Sequence, residues 1–95
     1  MTDGVFEWDA AKAEANYLKH GVYFPTATEV FDDPFGIEEA DPRQYDEERF
    51  LISGMGGGSL LTVVYTERGE SIRIISARRA TKREHDNYYL QNSQE

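Results

Sequence analysis

A chain of 95 residues without cysteine has room for one domain and must hold its core without disulfides or thiolate metal sites. Its formal net charge is −8, from 18 acidic and 10 basic residues, which opposes long-range attraction to bare nucleic acid. No run is long enough to cross a membrane, and the N-terminus (MTDGVFEWD) lacks the basic and apolar regions of a signal peptide, so a cytoplasmic protein is expected.

Val5-Phe6-Glu7-Trp8 reads as a short strand by its β-branched and aromatic content. Asp9 is the expected N-cap of a helix from Ala10 to about Lys19, with Gly21 as its left-handed stop. Helical spacing assigns the buried stripe to Ala11, Ala15 and Leu18, and leaves Lys12, Asn16 and Lys19 in water. Pro25 suits the first turn of a second, shorter helix in which Ala27, Val30 and Phe31 share a face; Asp32-Asp33-Pro34 ends it.

A weak strand is expected over Phe35 to Glu39, then an exposed loop from Asp41 to Asp46. Arg49 to Ser53 alternates, with Phe50 and Ile52 on one face and Arg49 and Leu51 on the other. Gly54 to Gly58 (GMGGG) reads as a flexible turn. Leu60 to Thr66 is apolar on both faces, as a central strand would be, and a tight hairpin at Glu67-Arg68-Gly69 leads into a strand from Ser71 to Ala77. Thr81 and Glu84 have capping-box spacing and open a last helix to about Gln91. The fold class is therefore α+β, in the order β-α-α-β-β-β-β-α, with a mainly antiparallel sheet that helices cover on one face.

Charge is unevenly distributed. Between Thr28 and Glu48 lie nine acids and one base, Arg43, whereas Arg68 to Arg83 carries six bases against one acid. Guanidinium groups match phosphate oxygens in a two-point fork, so the second stretch (Arg68, Arg73, Arg78, Arg79, Lys82 and Arg83) is the candidate anion-binding region. Lys82 and Arg83 open a helix, where cations oppose its dipole; a role outside helix stability is one explanation, and solvent exposure is the other. Arg78 and Arg79 end a strand with side chains on opposite faces, so one of the two is expected to serve and the other to lie at the edge or pair with an acid. His20, at a helix end beside Lys19, is a candidate general acid or base, or else a plain surface histidine. No metal-ligand spacing, phosphate loop or Ser/His/Asp signature is present, so no cofactor is expected.

The stretches FEWDAAKAEANYLKHGVYF, EVFDDP, DEERFLISG and LLTVVYTERGESIRIISARRATKRE, spanning roughly Phe6 to Tyr89, resemble the BrnT family of bacterial type II toxins. The resemblance implies a RelE-like fold and an endoribonuclease that halts translation. It also implies neutralisation by a BrnA-type antitoxin, a small DNA-binding protein whose complex with the toxin binds and represses their operator. Lys19-His20-Gly21, Ala77-Arg78-Arg79 and Arg49 fall on the family's polar signature positions. The implied reaction needs no metal: a base activates the ribose 2′-hydroxyl, cations stabilise the phosphorane, and an acid protonates the leaving oxygen. His20 with Lys19 would move the proton, and Arg49, Arg78 and Arg79 would clamp phosphate. Arg73, Lys82, Arg83 and Tyr88 would contact RNA, Tyr88 having helix-to-sheet packing as its alternative use. A second reading stays open, in which the net charge of −8 reflects a toxin-like binding protein that pairs with an antitoxin or regulator without turnover. A third is a small acidic protein with no nucleic-acid role.

Overall fold

The structure is a computed structural model that describes residues 5–43 and 46–93. Within them the chain runs β1 (Phe6–Glu7), α1 (Ala10–His20), α2 (Phe24–Ala27), a 3-10 helix (Thr28–Asp32), β2 (Ile37–Ala40), β3 (Phe50–Gly56), β4 (Ser59–Arg68), β5 (Ser71–Arg79) and α3 (Lys82–Asn92). The expected loop from Asp41 to Asp46 includes Gln44 and Tyr45, which lie outside the described residues, as do Met1 to Gly4 of the N-terminal stretch.

The strands form one mixed five-stranded sheet in the order β1-β5-β4-β3-β2. The β5–β4, β4–β3 and β3–β2 pairings are antiparallel, while β1 lies parallel to β5 over Phe6↔Ile72 and Glu7↔Arg73.

Local chemistry explains the helix ends. The Lys12 N–H donates to Asp9 Oδ1 at 3.0 Å, and Gly21, at φ 73°, stops α1 by donating its N–H to Tyr17 O. Both halves of the Thr81–Glu84 capping box form at the start of α3. The second helix changes character after one turn, tightening to 3-10 geometry from Thr28.

The glycine-rich stretch is not all turn. Strand β3 continues through Gly54 and Gly56, where an added Cβ would sit 3.0 Å from Val30 Cγ1 and from Thr26 O respectively. Those two glycines let the strand pass directly beneath the helical segment. Only Gly57 and Gly58, at φ 59° and 80°, make the hairpin.

The core lies on the helix face of the sheet. Ile52, Leu61, Val63, Tyr65, Ile74 and Ala77 meet Val22, Phe24, Ala27 and Val30 there. Ile74 and Ala77 both reach this core, although three positions apart, because β5 is bulged: Tyr65 pairs with Ile74 and Val64 with Ser76, so Ile75 has no opposite residue.

The expected buried stripe of α1 is wrong. Ala11, Ala15 and Leu18 are exposed, Leu18 at 77%, and the buried residue is Asn16 at 7%. The reason is where the helix docks. Pairing with β1 covers only Ile72 and Arg73, so the rest of β5's outer edge needs hydrogen-bond partners more than apolar cover. Asn16 supplies them: its amide nitrogen donates to Ala77 O at 2.9 Å, and its amide oxygen accepts from Ala77 N at 3.1 Å. These are the two bonds a neighbouring strand would make. A third, to Val22 O at 3.1 Å, ties down the loop after the helix.

The second face of the sheet is not left open either. Leu51, Ser53, Thr62, Val64 and Thr66 are all buried there, and α3 places Glu84 against Thr62. Helix α3 is also held at the β3 edge, where Asp33 Oδ2 accepts from Tyr88 OH at 2.6 Å and from Met55 N at 2.8 Å.

Candidate functional site

Beneath the start of α3, four polar side chains form a chain across β3, β4 and β5. Ser53 Oγ lies 2.7 Å from Thr62 Oγ1, and Thr62 Oγ1 donates to Glu84 Oε1 at 2.8 Å. A hydroxyl has one proton, so Ser53 must be the donor to Thr62, and the chain is polarised towards the carboxylate. Glu84 also accepts from Thr81 N at 2.8 Å and takes a two-point fork from Arg78, Nη1–Oε1 2.8 Å and Nη2–Oε2 3.0 Å. Burial opposes ionisation of Glu84, but the fork, the Thr81 N–H and the Thr62 hydroxyl outweigh it and bring the carboxyl down to about 2. The same fork, against the cost of burial, raises the Arg78 pKa. Arg78 is thus a held guanidinium, with Nη1 and Nη2 engaged by Glu84.

Arg78 lines a groove of about 610 Å³ on the second face, together with Arg43, Arg83, Glu39, Asp41 and Glu84. Three arginines face three carboxylates, so the groove is close to neutral. Arg43 is moreover bonded to Asp41 through two nitrogens, at 3.1 and 2.9 Å.

A different groove, of about 300 Å³, lies between α1 and the bulged part of β5. Lys12, Asn16, Lys19, His20, Ile75 and Ser76 line it, and no carboxylate among the described residues does. Neither Lys12 nor Lys19 has an ion-pair partner among the described residues. Ser76 and Arg78 are two residues apart on β5 and point to the same face, about 7 Å apart. The two grooves therefore flank one stretch of strand.

The sequence-predicted residues are distributed as follows. His20 and Lys19 share the α1–β5 groove, and Arg78 and Arg83 share the arginine groove. Arg79 points to the helix side of the sheet and lines a small pocket with Tyr23, Thr26 and Gly57. Arg49 lines a further groove with four acids, Asp41, Asp46, Glu47 and Glu48. The expected single clamp of Arg49, Arg78 and Arg79 is not assembled, since strand alternation sends the last two to opposite faces and Arg49 lies in a groove of its own. Arg73 is paired with Glu7 at 3.0 Å, and Lys82 with Asp86 at 2.7 Å on the exposed side of α3. Tyr88 is 5% exposed with its hydroxyl committed to Asp33, so it packs and offers no ring face for stacking.

Sequence reasoning missed Lys12 as a site residue, although Lys12, Asn16, Lys19 and His20 fall at i, i+4, i+7 and i+8 on one helix face. It also missed Glu84 as a partner of Arg78. No signal for that pairing exists beyond the capping box, which already accounts for a glutamate at that position.

Among the described residues no group of three or more His, Cys, Asp or Glu side chains is placed to hold a metal ion, and no helix is long and apolar enough to cross a membrane. No curated protein matches the chain. Residues 8–84 do match a family, described as the ribonuclease toxin, BrnT, of type II toxin-antitoxin system. That span contains Asn16, both grooves and the Arg78–Glu84 fork, so the chain belongs to the BrnT family of ribonuclease toxins of type II toxin–antitoxin systems.

Proposed function

We propose that this protein is a metal-independent endoribonuclease that stops translation by cutting RNA across the second face of β5. The observation that carries this reading is the α1–β5 groove: Lys12, Lys19 and His20 with no carboxylate among the described residues lining it, in a chain of net charge −8. Unpaired ammonium groups beside an imidazole are suited to hold a phosphate and move a proton. In this scheme Lys12 and Lys19 bind the scissile phosphate and His20 takes the ribose 2′-hydroxyl proton. The 2′-oxygen attacks phosphorus as the bond to the 5′-oxygen breaks, and the Lys19 ammonium gives that oxygen a proton, leaving a 2′,3′-cyclic phosphate and a 5′-hydroxyl. Arg78 and Arg83, in the neighbouring groove, lie along the path of a flanking phosphate of the same strand. RNA is selected over DNA because the attack requires the 2′-hydroxyl.

The type II family makes a protein antitoxin its partner. We take that partner to be of the BrnA type, binding operator DNA on behalf of the complex in the cytoplasm, and the toxin fold to be RelE-like. The α+β mixed sheet is consistent with this.

The near-neutral arginine groove favours a second reading, a toxin-like protein that binds its partner without turnover. Induced expression separates the two, since growth arrest reversed by co-expressed antitoxin requires the first. Single-turnover cleavage of RNA by His20→Ala tests the site itself. A fall of about 10² to 10⁴-fold in the chemical step, with affinity little changed, is expected. A wild-type rate constant would leave His20 a surface residue.

A further inference from the structure

We infer that Tyr23 and Arg79 form a subsite for a single nucleotide flanking the cleaved phosphate, with its base on the Tyr23 ring and its phosphate on Arg79. The inference rests on the reading that the protein cleaves RNA, and it gives a role to an arginine that the fold turns away from the cleavage face.

Four observations support it. The Tyr17 and Tyr23 rings stack in parallel, with centroids 4.0 Å apart and planes 10° apart, yet they are 38% and 56% exposed. A stacked pair left in water fixes the orientation of Tyr23 and presents its ring to a further planar group. Beside it lies a pocket of about 110 Å³ lined by Tyr23, Thr26, Gly57 and Arg79. At roughly 30 Å³ per water that is space for about four waters, enough for a phosphate but not for a nucleotide, so the base must lie outside, on the ring. Arg79 has no acidic partner among the described residues, in a chain with 18 acids. Finally, His20 and Tyr23 are separated only by Gly21 and Val22, and the exposed Gly21 lines the pocket, so a strand passing His20 reaches Tyr23 around that corner.

The test uses an oligoribonucleotide made uncleavable by a 2′-deoxy sugar at the scissile position, with an abasic site placed at each flanking position in turn. Tyr23→Ala should weaken binding about 5- to 150-fold, and Tyr23→Phe should not. One abasic position should lose the same amount on the wild-type protein and nothing more on Tyr23→Ala. Arg79→Ala should lower the slope of log affinity against log salt by about 0.7. Unchanged affinity in folded Tyr23→Ala and Arg79→Ala overturns the inference while leaving the cleavage reading intact. So does a result in which both bind RNA normally and the antitoxin more weakly, which would make this an antitoxin surface. A wild-type protein that neither binds nor cleaves RNA overturns the reading itself, and the inference with it.

Discussion

Arg78 and Glu84 are joined by two parallel hydrogen bonds, 2.8 and 3.0 Å, with the Glu84 side chain only 9% exposed. The pair fastens the end of β5 to the start of α3, and it couples an active-site candidate to fold stability. A carboxyl held at about 2 instead of its ordinary 4.5 is stabilising when ionised. Its contribution is complete above pH 4.5 and is lost as pH falls from there to about 2, with an upper size of about 3 kcal/mol. Asp33 acts in the same direction, since the Tyr88 hydroxyl and the Met55 and Phe35 N–H groups outweigh its burial and lower its pKa. Urea midpoints at pH 7 and pH 3 should therefore differ more for the wild type than for Glu84→Gln. Equal acid sensitivity would place the linkage elsewhere.

Arg78→Ala and Arg79→Ala should differ in kind. Removing Arg78 leaves a buried carboxylate with only Thr62 and Thr81 as partners, and should cost about 2–4 kcal/mol of stability. Removing Arg79 should change stability by less than about 0.5 kcal/mol, as for an exposed residue with no acidic partner among the described residues. Denaturant titration of each variant decides it. Lost toxicity in Arg78→Ala alone is consequently no proof of a catalytic role.

Asn16→Ala should destabilise by about 2–4 kcal/mol, because three bonds to backbone groups of Ala77 and Val22 vanish. Asn16→Leu should not restore stability. An apolar side chain fills the space yet leaves the Ala77 N–H and C=O unpaired at the strand edge. Rescue by leucine would show that α1 needs only apolar cover.

Lys12→Gln with Lys19→Gln should weaken RNA binding and lower the slope of log affinity against log salt by about 1.4, at about 0.7 per charge for a single strand. Lys82→Gln should leave that slope nearly unchanged, since Asp86 already pairs with Lys82. The slopes, measured on the uncleavable oligoribonucleotide, locate the groove. Equal effects of the two changes would argue for diffuse attraction in its place.

Much of the architecture is legible in the sequence because it is local. Asp9, Gly21 and the Thr81–Glu84 box satisfy backbone groups within a few residues, and the alternation of Phe50, Ile52, Val63 and Tyr65 needs only strand geometry. His20 and Lys19 lie together because they are adjacent on one helix, and the family itself is written in linear motifs.

Tertiary structure decided the rest. Hydrophobic periodicity could not show that α1 packs on a strand edge, where an amide that mimics a neighbouring strand is worth more than leucine; hence Asn16 is buried and Leu18 is wet. The extra residue at Ile75 sets which face Arg78 and Arg79 take, and a bulge is visible only against its partner strand. Glu84 reads as a cap until folding brings Arg78 beside it. A carboxylate's partner depends on distance in space, and separation along the chain does not encode it.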